Sequence, residues 1–571
     1  MRLRIYEIIV CVILCNLNYA KAQERNKTDY LPQTPCIAKN IDRFSLEVVS
    51  QSHLLAALSL QGIVNRDTAR IYTHGNSDKW ALDLYKSKGY IQEDTLYSNV
   101  FQLLEKYKKQ IKGAVVYDPD KDYTVNLATN VAGVESRIII CPDMIDSFRI
   151  SVNNDIKDLR DYRFENATSA FRWYKTNIYP HQEKNVLSVA KGLLYMYDVY
   201  RDYLVEFRIP VFWLPGEKDL DYDPEYEAEV IKFFEETPVN IPVLGFWPGV
   251  NEAGENIGYT EFDGVKLAGK YGKFTLVNTW VGNYSFHSGV KPRQSSYLQK
   301  APANKSFRKY DPSKKYVALI MNESGDAPCY FLYTGFFPRQ WNDPNRGEVA
   351  ISYGITPSLR MLAPAILEHI YQTQSPNDYF FTSISGAGYC YPFEGYCENT
   401  RDKEANLNEY YSGITASNMK ILDLNMLGIY THSESKWSDA DYSIADEHIA
   451  TMPGLTSIIS GMHRTTFEAH ESHQMMKNNV SVHHTLTFWS KDNYPWDNPE
   501  FDKQAVDHIE NEIKTYGSGS QFIQAMFYSW HHGPRRLMQL QQRLEPEGYE
   551  FITLNEFDYL WREANERGTT Y

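Results

Sequence analysis

Acids, histidines and tryptophans follow a series of short apolar runs in the later part of this 571-residue chain. Behind Tyr316–Met321 come Asn322, Glu323 and Asp326, and behind Tyr379–Thr382 come Tyr389, Tyr391 and Glu394. Behind Met426–Tyr430 come His432, Glu434 and Trp437, and behind Thr456–Ile459 come His463 and Arg464. Trp489 and Asp492 follow Val482–Phe488, while Trp530, His531 and His532 follow Phe522–Phe527. Glycoside hydrolysis needs one carboxyl group to protonate the leaving oxygen and a second to act as nucleophile or base. Asp326 and Glu434 are the expected pair, with Glu323 as a substitute. Tyr389, Tyr391, Trp437 and Trp530 would border or stack on sugar rings, with Glu394 beside them. His463 and His531 would hydrogen-bond hydroxyls or polarise a leaving group. Against each residue taken singly stands a plainer reading: a capping acid, a core ring or a satisfied structural histidine.

The stretch Gly386-Ala387-Gly388-Tyr389-Cys390-Tyr391-Pro392 carries the most information. Its two glycines can take positive φ and let another group approach the backbone closely. Tyr389 and Tyr391 would point the same way on a continuing strand. A flat polar ligand such as a sugar suits that arrangement, and a tight turn with two core tyrosines suits it equally.

Ten of the 15 histidines lie from His432 onward, which raises metal-assisted chemistry as a rival. His470 and His473 could share a helix face, but their separation is not that of a zinc-protease helix. The adjacent pairs His483-His484 and His531-His532 would project oppositely on strands, so each offers one inward ring. A metal-assisted carbohydrate esterase, such as a deacetylase, draws histidines and acids from several strand ends, and a polysaccharide lyase stands beside it as an alternative. No cofactor is required by the main reading, and a metal only by this rival. No Gly-x-Ser-x-Gly elbow is present for a nucleophilic serine.

The heptapeptide spells Gly-x-Gly-Tyr-x-Tyr-Pro, and the chain resembles the family of that signature, the GxGYxYP putative glycoside hydrolases. Further likeness lies in Ile355-Thr356-Pro357-Ser358-Leu359, Leu362-Ala363-Pro364 and Ser375-Pro376-Asn377-Asp378. Near the start, Leu60-Gln61-Gly62-Ile63-Val64-Asn65-Arg66 and Arg70-Ile71-Tyr72 are similar to the opening of the family's N-terminal domain. The resemblance implies a carbohydrate substrate. It also implies a departure: where the family tends to have Ser-Asp-Gly-Asp-Asn, this chain has Glu323-Ser324-Gly325-Asp326-Ala327. Asp326 keeps the second acid, and Glu323 could supply the first from one position earlier. Loss of that acid and of the amide also opens the alternative of a non-catalytic glycan-binding protein.

The elements that must position these groups read as α/β throughout. Strands Arg70–Thr73, Gly113–Tyr117 and Arg137–Cys141 alternate with helices, which predicts an N-terminal α/β domain with a parallel sheet over residues 23–150. Residues 151–305 form a second such domain, with strand candidates at 209–213 and 242–247 whose prolines favour an edge or a strand start. Pro292–Pro312 reads as a linker. Eight βα-like units between Tyr316 and Ile552 then predict a C-terminal (β/α) barrel-like domain over 306–571, with an open doubly wound sheet as the alternative.

Bulk properties narrow the partners. Residues 1–22 read as a secretory signal: Arg2 and Arg4, an apolar core from Ile8 to Leu14, and Ala20-Lys21-Ala22 for cleavage. A secreted or periplasmic protein is therefore expected; Asn16 and Leu17 after Cys15 argue against a surface lipoprotein. No later run reaches the length of a membrane span. The formal net charge is −14, and removing the signal takes it to about −16, which argues against nucleic acid. Five cysteines remain after the signal, and an oxidising compartment is compatible with a Cys390–Cys397 bridge.

Overall fold

Short β-branched runs separated by amphipathic helices give parallel pairing, because a strand followed by a helix returns to its sheet in the same direction. A computed structural model describes residues 28–568 apart from 47–48, 76–78, 153–154, 193–198, 219–221, 248, 250–257, 295, 301–306, 322–327, 334–336, 432–435, 462–471, 489–497, 518, 528 and 530–531. Strands β1 (Ile37–Ser45), β2 (Ala69–His74) and β3 (Glu93–Tyr97) form a parallel sheet of order β2-β1-β3. Strands β4 (Gly113–Val116), β5 (Arg137–Ile140) and β6 (Ile156–Asp158) form a second, of order β5-β4-β6. Because β6 lies beyond residue 150, this second sheet straddles the boundary read from the sequence.

A third parallel sheet runs β10-β9-β7-β8, from β7 (Leu187–Val189), β8 (Val211–Phe212), β9 (Ile241–Gly245) and β10 (Lys273–Leu276). β9 is central despite its proline. Pro242 pairs with β10, while the ladder to β7 begins one residue later, at Val243, so the missing N–H interrupts no bond there.

The C-terminal domain is barrel-like. Its strands are β11 (Lys315–Met321), β12 (Ile351–Ile355), β13 (Asp378–Thr382), β14 (Met426–Tyr430) and β15 (Ser457–Gly461). They continue with β16 (His473–Met475), β17 (Ser481–His484), β18 (Leu486–Phe488), β19 (Phe522–Phe527) and β20 (Tyr549–Ile552). Pairing runs β16-β17-β15-β14-β13-β12-β11-β19-β18, with β20 against β11. Every pair is parallel except β16–β17. β17 pairs with β15 and β18 with β19, yet only Thr485 separates β17 from β18. The sheet therefore curls until its two flanks meet in one run of chain. Tyr316, Ala318, Ile320, Phe381, Met426, Ile459, Phe522 and Ile552 share one core with Phe557, Leu560 and Trp561 of the final helix, Leu554–Glu566. Strands so far apart in the pairing order gather only across a barrel interior, and the final helix closes its N-terminal end.

The stretch before β1 looks like a polar leader by composition, but Leu31 and Thr34 are buried. Thr34 Oγ1 donates to Glu206 Oε1 at 2.7 Å or to the Ser285 carbonyl at 2.7 Å, which draws the segment between domains. Gly62 on helix Gln51–Val64 makes room for this joint: a Cβ there would lie 2.3 Å from the Asp202 carbonyl oxygen. The loop Val281–His287, which by pattern could face a cleft, is also buried. Asn283 is held there by Gln61 and by both backbone groups of Thr73.

Asp202 and Glu206 share the inner face of helix Arg201–Phe207. Burial pushes the Asp202 carboxyl up to about 6, against hydrogen bonding from Ser285, and pushes Glu206 well above the usual range, partly offset by Thr34. A raised carboxyl pKa favours the protonated folded state. Its stabilisation is full below the unfolded value near 4 and is lost as pH rises to about 6. Urea midpoints are therefore expected to fall between pH 4 and pH 6.5, and Asp202→Asn should flatten that decline. An unchanged slope in the variant would assign the titration elsewhere.

Candidate functional site

Gly386 to Pro392 leave the C-terminal end of β13 and reach the third sheet. Tyr389 forms an isolated antiparallel bridge with Thr275 of β10, each N–H reaching the other's carbonyl at 2.8 Å. Gly386 holds φ +125°, and a Cβ there would lie 2.7 Å from Thr415 Oγ1. At Gly388 a Cβ would meet Phe274 Cδ2 at 2.5 Å and Leu276 Cδ2 at 2.8 Å. Tyr410 Oη accepts from the Gly388 N–H at 3.1 Å and lies 2.8 Å from its carbonyl, while Tyr30 Oη donates to the Ala387 carbonyl at 2.8 Å. The glycines thus serve close backbone approach, but to protein rather than to a ligand.

Tyr389 and Tyr391 are buried, at 0 % and 2 % exposure. Their hydroxyls lie 2.6 Å apart, and Tyr389 donates to Glu261 Oε1 at 3.1 Å. Glu261 opens helix Glu261–Lys270 of the third sheet's domain. Burial raises its carboxyl pKa, and the Tyr389 hydrogen bond pulls it partly back. The following residues continue the joint: Glu394 pairs with Lys266 at 3.4 Å, and the Cys397 N–H donates to the Gly269 carbonyl at 2.8 Å. Lys273, buried beneath, donates to the Pro238 and Tyr271 carbonyls, and burial lowers its pKa to about 7. Both tyrosines and Glu394 therefore clasp two domains together, which corrects the expectation that they face a sugar. Cys390 and Cys397 are buried free thiols, not a bridge.

Trp437 is also enclosed, at 6 % exposure. Its ring lies 4.6 Å from Phe393 and 5.3 Å from both Tyr442 and His484, and Tyr442 Oη lies 2.8 Å from His484 Nε2. His483 contacts Phe557 and Trp561 of the barrel interior, so its neighbour His484 faces the helix layer. That puts the Trp437 box outside the barrel mouth, a second correction. The opposite projection of this histidine pair follows the strand alternation expected from sequence.

Family models match the chain in four consecutive pieces: the GxGYxYP N-terminal first domain at residues 42–109, the second domain at 111–182 and the third domain at 193–289. The fourth, at 313–562, is the GxGYxYP putative glycoside hydrolase C-terminal domain. The chain belongs to the GxGYxYP family. The four pieces follow the four sheets, and the GxGYxYP signature is the strap between the third and fourth. A crystal structure of a putative hydrolase from Bacteroides thetaiotaomicron shares the fold at 16 % identity and TM-score 0.72, over 95 % of this chain and 98 % of that one. A putative polysaccharide deacetylase from Mycobacterium smegmatis aligns at 10 % identity with TM-score 0.30, over 47 % of this chain and 96 % of that one. No curated protein matches the chain.

In this GxGYxYP protein, Glu323, Asp326, Glu434, His463, Trp530 and His531 lie outside the described residues. What is described is the frame from which they depart. β11 ends at Met321, β14 at Tyr430, β15 at Gly461 and β19 at Phe527, all pointing the same way. Among the described residues no group of three or more histidines, cysteines and acids could hold a metal ion, and no helix is long and apolar enough to cross a membrane. Glu261 is the acid that sequence reasoning passed over. It lies in another domain, 128 residues before Tyr389, and no local spacing marks it.

Proposed function

We propose that the chain is an exported enzyme that hydrolyses glycosidic bonds in a polysaccharide or its oligosaccharides. Asp326 and Glu434 act as the acid and its partner, and Glu323 can stand in for either. One observation carries this reading: the parallel strands of the barrel-like sheet send their C-terminal ends to a single mouth, where such folds hold their chemistry. The segment containing Glu323 and Asp326 begins directly after β11, and Glu434 comes four residues after β14. Two strands intervene, so the strand axes are ~14 Å apart along the sheet at ~4.8 Å per step. Paired carboxylates need ~5–9.5 Å, so the reading requires the segments after β11 and β14 to bring their acids closer than the strand axes. The signature strap supports the reading indirectly, because it fixes the third domain beside the C-terminal end of β13.

A metal-assisted carbohydrate esterase is the second reading, favoured by His432, His463 and His531 behind three different strands. Both readings meet one experiment: product analysis after incubating the full chain with a panel of polysaccharides, with and without chelator. New reducing ends insensitive to chelator are expected. Acetate released without new reducing ends, and lost with chelator, would transfer the assignment to the esterase. Tight glycan binding with no product of any kind would leave a binding protein, as the changes at Ser324 and Ala327 allow.

A further inference from the structure

A cavity of about 350 Å³ lies between the second and third sheets, remote from the barrel. That is the small end of the ~300–1,000 Å³ range of ligand pockets. Its walls come from the start of helix Tyr123–Glu135, from helix Ala167–Asn177, and from β8 with Trp213 behind it. β8 and β10 are opposite edges of their sheet, so two strands separate the cavity from the edge that the signature strap grips.

The lining is aromatic with a few polar atoms. Phe171, Tyr174, Phe212, Trp213 and Tyr226 are each less than a tenth exposed. Asn130 is fully engaged in fixing the wall: its Nδ2 donates to the Val211 carbonyl at 2.8 Å, and its Oδ1 accepts from Gln182 and from the Val211 N–H. Three other polar atoms have no such role. Among the described residues, Asp122 Oδ1, Tyr123 Oη and Tyr174 Oη are buried with no hydrogen-bond partner. A buried polar atom without a partner is costly, and these three belong to residues lining one cavity, where a bound polar molecule would satisfy them. Asp122 precedes its helix without capping it by a side-chain bond, so the carboxylate is not there for the helix.

We propose that this cavity binds a neutral sugar unit, a monosaccharide or the end of an oligosaccharide, independently of the barrel site. The unpartnered set is one acceptor and two hydroxyls that both donate and accept, which a polyol satisfies. The flat apolar walls suit the C–H face of a pyranose ring. Charge argues against an anion. Lys191 Nζ is already 3.2 Å from Asp122 Oδ2, Lys121 Nζ donates to the Phe164 carbonyl at 2.6 Å, and Asp120 and Asp223 also line the site.

The test is ligand-observed NMR and calorimetry on the full chain with D-glucose, D-galactose, D-mannose and N-acetyl-D-glucosamine, and with inorganic phosphate as the anionic probe. At least one sugar is expected to bind at millimolar concentration or tighter. Asp122→Asn should weaken it about tenfold, and Tyr174→Phe about fivefold, the effects of losing a charged and a neutral hydrogen bond. Thermal midpoints of the variants identify any that fail to fold, and the two substitutions are independent. No sugar binding up to about 10 mM, roughly ten times the ~1 mM Kd expected of a small pocket, would overturn the proposal. So would binding that neither variant weakens, or binding of phosphate alone. Because the readout is binding, it stands or falls separately from glycan turnover.

Discussion

Asp326→Asn is expected to lower glycan hydrolysis by about 10²–10⁴-fold, the range lost with one general acid or base, with little change in thermal midpoint. The amide keeps the size of the carboxyl group but can neither give up nor take the proton that the leaving oxygen or the attacking water requires. In sequence Asp326 follows β11, the strand flanked by β19, β12 and β20 and therefore the most fully paired in the sheet. A firm strand is what a reacting carboxylate needs behind it, since displacement by about 1 Å can cost on the order of 10²-fold. Reducing-end kinetics for Asp326→Asn, Glu434→Gln and Glu323→Gln, each over a range of pH, separate the roles. Loss of the general acid removes the alkaline limb of the profile, and loss of the base or nucleophile removes the acidic limb. Turnover that survives all three substitutions would take glycosidic hydrolysis away from these acids.

The strands of the barrel were legible because each is a short apolar run closed by a break, and a buried parallel strand has little other form. Met426–Tyr430 and Phe522–Phe527 match their predicted bounds. Thr485 divides the predicted Val482–Phe488 strand in two, since its first half pairs with β15 and its second with β19. Tyr389 and Tyr391 illustrate what periodicity leaves open. It gives the side to which a ring points but not what stands opposite, and here that is Glu261 from a domain more than a hundred residues earlier. Trp437 was misread for a related reason. Its place after β14 suggests the mouth, but the aromatic box around it is assembled from Phe393, Tyr442 and His484, three segments with no common spacing. Burial against a distant partner is a tertiary fact, and the residues that meet there carry no local mark of it.

The same joint gives the largest stability effect expected. Gly388→Ala should cost on the order of 3 kcal/mol, the upper part of the range for overpacking a close-packed interior. The added methyl would sit 2.5 Å from Phe274 Cδ2, 2.8 Å from Leu276 Cδ2 and 3.0 Å from the Thr275 carbonyl oxygen. Neither ring nor backbone can move aside cheaply. Phe274 is fully buried, with the Tyr30 ring 5.3 Å away and the Tyr410 ring 5.4 Å away. Thr275 is pinned by both of its bonds to Tyr389. The strap would have to lift off β10, breaking that bridge and exposing the Tyr389–Glu261 pair. Gly75→Ala is the matched control, because among the described residues its Cβ would meet only Leu46, at 3.8 Å. Urea or thermal unfolding of the two variants measures the difference. Limited proteolysis should show cleavage between residues 386 and 400 in Gly388→Ala and not in the control. Equal stability of both variants would mean that the signature loop does not seat against the third sheet.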